Sequence, residues 1–312
     1  MEKLISIIVP VYNEEENIQI FYAELKNVLE KIGKSYDVIF VDDGSTDNTS
    51  EKISQLSQTD QNVKMIQFSR NFGKEIATTA GINACHSSAC IIIDVDLQHP
   101  VEYIPEFIDK WEKGAEVVVG VRKNSASDEW IKKVCSYTFY KVLNLISTTP
   151  VVRNSTDYRL LDKKVIDEFN KFTERNRMTR GLIAWLGFKR DLVYFEAKER
   201  LNGKPKYSYI KLIRLATFTF VSHSLLPLKL AGYLGIFTTL GAGLLGFFIV
   251  ITQYIFPVLT FNFSGPAQLA VLILFLIGIV LSCLGLIALY IGSIHGEVIN
   301  RPLYVVRNKI NF

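Results

Sequence analysis

Two acidic clusters stand out by residue type and spacing. In VIFVDDGSTDNTS, Val38 to Ser50, an apolar run meets Asp42 and Asp43 and then Gly, Ser, Thr and Asn. In CIIIDVDLQHP, a second apolar run meets Asp94, Asp96 and Gln98. Adjacent like charges repel, so such pairs persist where cations or hydrogen-bond donors come to meet them. Asp94 and Asp96, read as alternate residues of an extended strand, point the same way. Two carboxylates and an amide oxygen suit a hard divalent cation such as Mg²⁺ or Mn²⁺, which would also hold phosphate oxygens. A carboxylate accepts hydrogen bonds, so Asp42 can then read a base N–H, while Asp43 holds a ribose hydroxyl or supports its loop. Helix capping is the simpler alternative, with Asp43 or Ser45 at the start of a helix near Thr46. Capping explains one acid but not the recurrence of the pattern two strands later.

The elements that must position these residues are legible from periodicity. LISIIVP, DVIFV, VKMIQFS, CIIIDVD and AEVVVGVR read as strands. Between them, Ile18 to Ile32 (closed by Gly33), NTSEKISQLSQ, KEIATTAGINAC and PVEYIPEFIDKWEKG read as helices. Alternating strands and helices predict an α/β fold, a doubly wound and mostly parallel sheet whose fully apolar strands are covered on both faces. Ligands of such sheets bind beyond the carboxyl ends of the strands. Pro10, Tyr12, Asn13 and Glu14 fall at one such end, Asp42 and Asp43 at the next, Arg70, Asn71 and Gly73 at a third, and Asp94, Asp96 and Gln98 at a fourth. Neither G-x-G-x-x-G nor a Walker sequence is present, which argues against the usual dinucleotide and NTPase sites.

Net charge is +4 on 66 Asp, Glu, Lys and Arg side chains, which does not favour nucleic acid as a partner. The four cysteines lack metal-ligand spacing and read as reduced thiols. From Leu230 to Gly296 no Asp, Glu, Lys or Arg occurs. Within that stretch, 230–256 and 267–294 each exceed the roughly 20 residues that cross a bilayer, and PVLTFNFSGP breaks the helix between them. A transmembrane hairpin over 230–296 is therefore expected. Lys211, Arg214 and Lys229 precede it and Arg301, Arg307 and Lys309 follow it, so both termini are expected on the cytoplasmic side of the plasma membrane. The basic and aromatic stretch 205–229 is expected to lie in the bilayer interface. The domain plan is thus a soluble α/β domain at 1–204, the interfacial segment, the hairpin, and a cytoplasmic tail at 297–312.

SIIVPVYNEEENI, VDDGSTDNT, RNFGKEIATTAGI and DVDLQHP together resemble the family 2 glycosyltransferases of GT-A fold. STDYRLLDKKVID, RNRMTRGLIAWLGF and ERLNGKPKYSYIKLIRLA resemble the polyprenyl-phosphate branch, which includes the bactoprenol glucosyltransferases and dolichyl-phosphate mannose synthases. The resemblance implies a nucleotide-sugar donor and a polyprenyl-phosphate acceptor. It places Pro10, Tyr12, Glu14, Asp42, Asp43, Lys74 and Asp94 around the nucleotide sugar, and Asp94, Asp96 and Gln98 around the metal. Arg122 falls near the phosphates, and Asp157 and Arg159 on the acceptor side of the sugar. Arg159, Arg200, Lys204 and Lys206 are implied at the acceptor phosphate, although contact with anionic lipid would account equally for the last three. Catalysis is expected to rest on Asp96, Arg122 and Asp157, with Asp157 either a base or a residue that places acceptor and sugar. UDP-glucose is the expected donor, ahead of a UDP-amino-sugar, UDP-galactose or GDP-mannose. A homo-oligomer such as a tetramer fits the branch, and a non-catalytic membrane scaffold is the alternative from outside enzymology.

Overall fold

A computed structural model of the chain describes residues 4–123, 155–175, 177–196, 265–299 and 301–312. The chain divides into one unit of Met1–Lys206 with Arg301–Phe312 and a second of Tyr207–Asn300. In the first unit the strands are β1 (Ile5–Val11), β2 (Tyr36–Asp42), β3 (Val63–Phe68), β4 (Ala89–Ile92), β5 (Val117–Arg122), β6 (Ser155–Asp162), β7 (Arg190–Phe195) and β8 (Val306–Ile310). Its helices are α1 (Ile18–Ile32), α2 (Thr49–Thr59), α3 (Lys74–Asn83), α4 (Ile104–Glu112), α5 (Lys163–Phe169) and α6 (Thr179–Trp185). The strands form one sheet in the order β7-β5-β6-β4-β1-β2-β3-β8.

The continuous apolar strands are explained by cover on both faces. Ile5, Ile7, Val9 and Val11 of β1 and Val38 and Phe40 of β2 enter one core cluster with Phe21 and Leu25 of α1, Ile53 of α2 and Phe107 of α4. The intervening Ile8 packs on the opposite face with Ile82, Val165 and Leu182, and Ile39 and Val41 pack there with Ala77 and Ala80. This is the doubly wound layering that the alternation implied.

Two strands make the sheet mixed. β6 lies between β4 and β5 and is antiparallel to both. Its register sets Arg159 opposite Ile92, so Asp157, two residues earlier, reaches the edge where the chain leaves β4 toward Asp94. β8 pairs antiparallel with β3. The tail expected at 297–312 therefore contributes a strand to the sheet. Tyr304 stacks on Phe68 at 4.9 Å between centroids, and the Asn311 amide donates to the carbonyls of Ser57 and Val63 at 2.8 Å.

Local geometry departs from the sequence reading at both acidic clusters. β4 ends at Ile92, so Asp94 and Asp96 do not lie on an extended strand. Asp96 accepts a hydrogen bond from the Gln98 amide at 3.2 Å, and Leu97 takes a left-handed φ of 57°, which folds the segment into a turn. The helix expected near Thr46 begins at Thr49. Asp47, rather than Asp43 or Ser45, accepts from the Thr49 amide at 3.0 Å and from its hydroxyl.

In the second unit the helix α7 (Gly265–Val298) runs 34 residues and contains the whole of the second expected span. Counted over the described side chains, no helix is long and apolar enough to cross a membrane. Over its full sequence, however, α7 carries one Asp, Glu, Lys or Arg, namely Glu297 near its end. The first expected span and the interfacial segment lie outside the described residues.

Candidate active site

Beyond the ends of β1 and β2 the loops are tied to one another. Asp42 is fully buried, and its carboxylate accepts from the Ser45 amide at 2.9 Å and from the Ser50 hydroxyl. Asp43 is also buried, and its two oxygens accept from the amides of Phe72 at 2.6 Å and Gly73 at 2.9 Å. Burial raises the Asp43 pKa, opposed by those two N–H groups. Of the two roles open to Asp43, support of the loop is therefore the one seen. Gly44 has φ of +69°, and a Cβ there would meet the Arg70 backbone at 2.4 Å, so only glycine lets the two loops close together. Asn13 completes the tie, donating from its amide to the Ser45 hydroxyl and accepting at its side-chain oxygen from Thr46 N at 2.8 Å. Pro10 is buried in β1 opposite Val41, whereas Tyr12 is 37% exposed at the loop surface. The Glu14 carboxylate accepts from Asn17 at 2.7 Å.

Past β4 the acids meet cations. Lys74, the first residue of α3, places its Nζ 2.6 Å from Asp94 and 3.0 Å from Asp157. Arg180, from α6, contacts the other Asp157 oxygen through Nε and donates to the Ser155 carbonyl at 3.2 Å. Burial alone would push the Asp157 carboxyl up, but Arg180 and Lys74 outweigh it and hold the group well below the usual carboxylate range. Burial likewise works against the Lys74 charge, and Asp94 and Asp157 reverse the balance so that its pKa is raised. His99 stacks on Tyr158 behind Asp94, with Nδ1 3.4 Å from the Asp94 amide and 3.6 Å from its carboxylate. Burial lowers the His99 pKa, which favours the neutral ring with Nδ1 accepting from the amide.

Arg159 lies deeper, 5% exposed, with Nε donating to the Thr156 carbonyl at 3.1 Å. Burial, and then the neighbouring Arg180, push its pKa down to about 10. Glu75 accepts from the Thr179 amide at 2.8 Å and so links α3 to α6. Arg122 ends β5 exposed, and Arg200, Lys204 and Lys206 lie outside the described residues.

The structure thus gathers Lys74, Asp94, Asp157 and Arg159 as one group and adds Arg180, Glu75, Thr179 and His99, none of which the sequence reading had assigned a role. Arg180 and Thr179 were visible only as part of RNRMTRGLIAWLGF. Among the described residues no three His, Cys, Asp or Glu side chains cluster as a metal cage. The donor set still fits a hard cation, because Mg²⁺-type ions are commonly held by one or two carboxylates together with substrate phosphates and water. Asp96 and Gln98 offer carboxylate and amide oxygens within one turn, whereas both Asp94 oxygens face Lys74.

A mixed sheet wound on both faces, with acids and cations gathered past its strand ends, defines an α/β protein of GT-A-like architecture. The sequence model of glycosyl transferase family 2 matches residues 6–169, and the chain belongs to that family. It is 42% identical to an uncharacterized glycosyltransferase, YkcC, of Bacillus subtilis, with 97% of this chain and 93% of that protein covered. It is 38% identical to a bactoprenol glucosyl transferase of Shigella phage SfII, with 98% of each covered. Among solved structures, mannosyltransferase PcManGT from Pyrobaculum calidifontis, in complex with GDP-Man and Mn²⁺, aligns over 91% of this chain and 88% of its own. The identity there is 16% and the TM-score 0.45, too distant to bear on the site.

Proposed function

We propose that the protein is an inverting glycosyltransferase that moves glucose from UDP-glucose onto undecaprenyl phosphate at the cytoplasmic face of the plasma membrane. The observation that carries this reading is the chain of charges Asp94–Lys74–Asp157–Arg180 beyond β4 and β6, in a chain similar over nearly its full length to bactoprenol glucosyl transferases.

A divalent cation held by Asp96 and Gln98 would neutralise charge on the donor diphosphate. Arg122, exposed at the end of β5, adds a cation on the same side of the sheet. The acceptor phosphate attacks the anomeric carbon from the face opposite the leaving group. A C–O bond to the acceptor forms as the C–O bond to UDP breaks, and the configuration inverts. A phosphate monoester is already largely ionised near neutral pH and needs no strong base. A carboxylate held as low as Asp157 is a poor proton acceptor. Asp157 therefore acts by fixing Lys74 and Arg180 around the reacting groups.

The uncharged stretch 230–296 would hold the site at the headgroup plane where the acceptor phosphate lies. α7, at about 1.5 Å per residue, exceeds the ~30 Å hydrocarbon core. The test is to incubate membranes containing the full chain with undecaprenyl phosphate and a panel of nucleotide sugars, and to weigh the lipid product. The reading expects a hexose adduct from UDP-glucose. An adduct from UDP-galactose, GDP-mannose or a UDP-amino-sugar alone corrects the donor, and no lipid adduct from any of them rejects the function.

A further inference from the structure

The two helices that flank the row of charges are tied together at their first turns. Lys74 and Glu75 are consecutive residues at the start of α3, and Thr179 and Arg180 are consecutive residues at the start of α6. Lys74 and Arg180 meet through Asp157 of β6, which lies 3.0 Å from the Lys74 Nζ and contacts the Arg180 Nε. Glu75 and Thr179 meet directly, the carboxylate accepting from the Thr179 amide at 2.8 Å. These four residues and Asp157 close a ring, and all five line one pocket. The sequence of α6 explains why it takes an acceptor from outside. Its first turn carries no acidic residue, and Met178, at the capping position, gives it no side-chain hydrogen bond. A helix leaves its first amides without internal partners, and a carboxylate there complements both those N–H groups and the helix dipole. At seven residues α6 is too short to be held without tertiary contacts. Thr179 is buried, so water is a poor substitute for the Glu75 oxygen. The Glu75 charge also acts, with that of Asp157, on the buried Arg159.

We propose that Glu75 is a positioning residue of the transfer reaction. By capping α6 from α3 it fixes Arg180 against Asp157 and so sets the spacing of the two cations, Lys74 and Arg180, that share that carboxylate. The inference rests on the proposed function for the reaction it serves, whereas the anchoring of α6 stands on the hydrogen bond itself. Glu75 acts through its acceptor oxygen and through Arg180, not through its charge and not by touching the donor.

The experiment uses the full chain in nanodiscs with UDP-glucose and undecaprenyl phosphate, and reads hydrogen exchange at Thr179 in the same preparations. Glu75→Ala should lower kcat about 10-fold or more, because misplacing a group by about 1 Å can cost about 10²-fold. KM for UDP-glucose should move by less than about 2-fold. Glu75→Gln keeps an oxygen that can accept from the Thr179 amide and loses the charge. It should recover most of the lost rate. In an Arg180→Gln background, Glu75→Ala should cost less than about 2-fold further, since residues that act through one another are not additive. Should Glu75→Ala not fold, Thr179→Pro deletes the same bond from the donor side. Proline suits the first helical position, and Met178 before it already has the extended backbone that proline requires, with φ of −118° and ψ of 95°. That variant should reproduce the fall in kcat. A Glu75→Gln variant as slow as Glu75→Ala overturns the proposal, because charge rather than the bond then matters. Additive losses with Arg180→Gln, or a loss that falls on KM for UDP-glucose, overturn it as well. If the wild type transfers no sugar to the lipid, the proposed function fails by itself, and hydrogen exchange then decides the anchoring. Protection of Thr179 that is lost in Glu75→Ala and kept in Glu75→Gln supports it, and equal protection in the two variants overturns it.

Discussion

Two acidic clusters occupy the same end of one sheet, yet they are satisfied differently. At 42–43 the carboxylates are buried and met by backbone amides and a serine hydroxyl, with Ser45, Ser50, Phe72 and Gly73 as donors. At 94 and 157 the carboxylates are met by the side-chain cations Lys74 and Arg180. The first arrangement fixes backbone, and a ligand reaching it would displace hydrogen bonds that hold two loops together. The second is a row of long side chains around a pocket, where a charged ligand can exchange partners without moving the main chain. Acidity alone thus does not tell the two clusters apart; the kind of partner does.

The largest effect should separate the two clusters. Asp157→Asn should lower the rate of sugar transfer per folded molecule by about 10²-fold or more, as removal of a group that orients charge in a reacting site does. Single-turnover transfer measures it. Asp43→Asn should act first on stability, costing about 1–3 kcal/mol because an amide cannot accept from both Phe72 and Gly73. Urea unfolding measures this, and a variant of normal stability that has lost donor binding would erase the distinction between the clusters.

A smaller effect should come from the strand at the sheet edge. Tyr304→Ala removes the stack on Phe68 and should cost about 0.5–1.5 kcal/mol beyond lost area. It should also loosen the 69–73 loop, whose Ser69 amide bonds the Val305 carbonyl at 2.9 Å and whose Ser69 carbonyl accepts from Arg307 at 3.1 Å. Hydrogen exchange at Phe72 and Gly73 reads that loosening, and unchanged protection there would confine β8 to bulk stability.

The smallest effect is a flat line. The folded-state pKa of Asp157 is lowered, so its stabilisation is complete above the ordinary carboxylate value of about 3.9 and is lost as pH falls toward the lowered value. The difference in unfolding free energy between wild type and Asp157→Asn should therefore stay constant from pH 6 to 8 and shrink only below about pH 4. A difference that changes across neutrality would place the carboxyl near neutral pKa and restore it as a base.

Much of this was legible in the sequence, and the remainder has identifiable causes. Strands β1 to β5 and helices α1 to α4 follow from local periodicity, which depends on near neighbours alone. β6 does not, because its place between β4 and β5 is a long-range pairing, and the meeting of Asp157 with Asp94 and Lys74 depends on that register. Arg180 and Thr179 become site residues only through α6, which β6 and α3 position. β8 was hidden because VRNKI carries charges on an exposed edge and lacks an apolar signature. The acids at 42–43 and 94–96 were found, but their environments were not. The amides that bury Asp43 belong to a loop 29 and 30 residues away, and the turn at Leu97 takes Asp96 off the strand.

The most direct test of the account is the single-turnover rate of glucose transfer from UDP-glucose to undecaprenyl phosphate in nanodiscs, compared between wild type and Asp157→Asn with donor affinity measured alongside. The account predicts glycosylated lipid from the wild type, a loss of about 100-fold or more in the variant, and donor affinity within a few-fold of normal. Transfer by the variant at within 2-fold of the wild-type rate would contradict it.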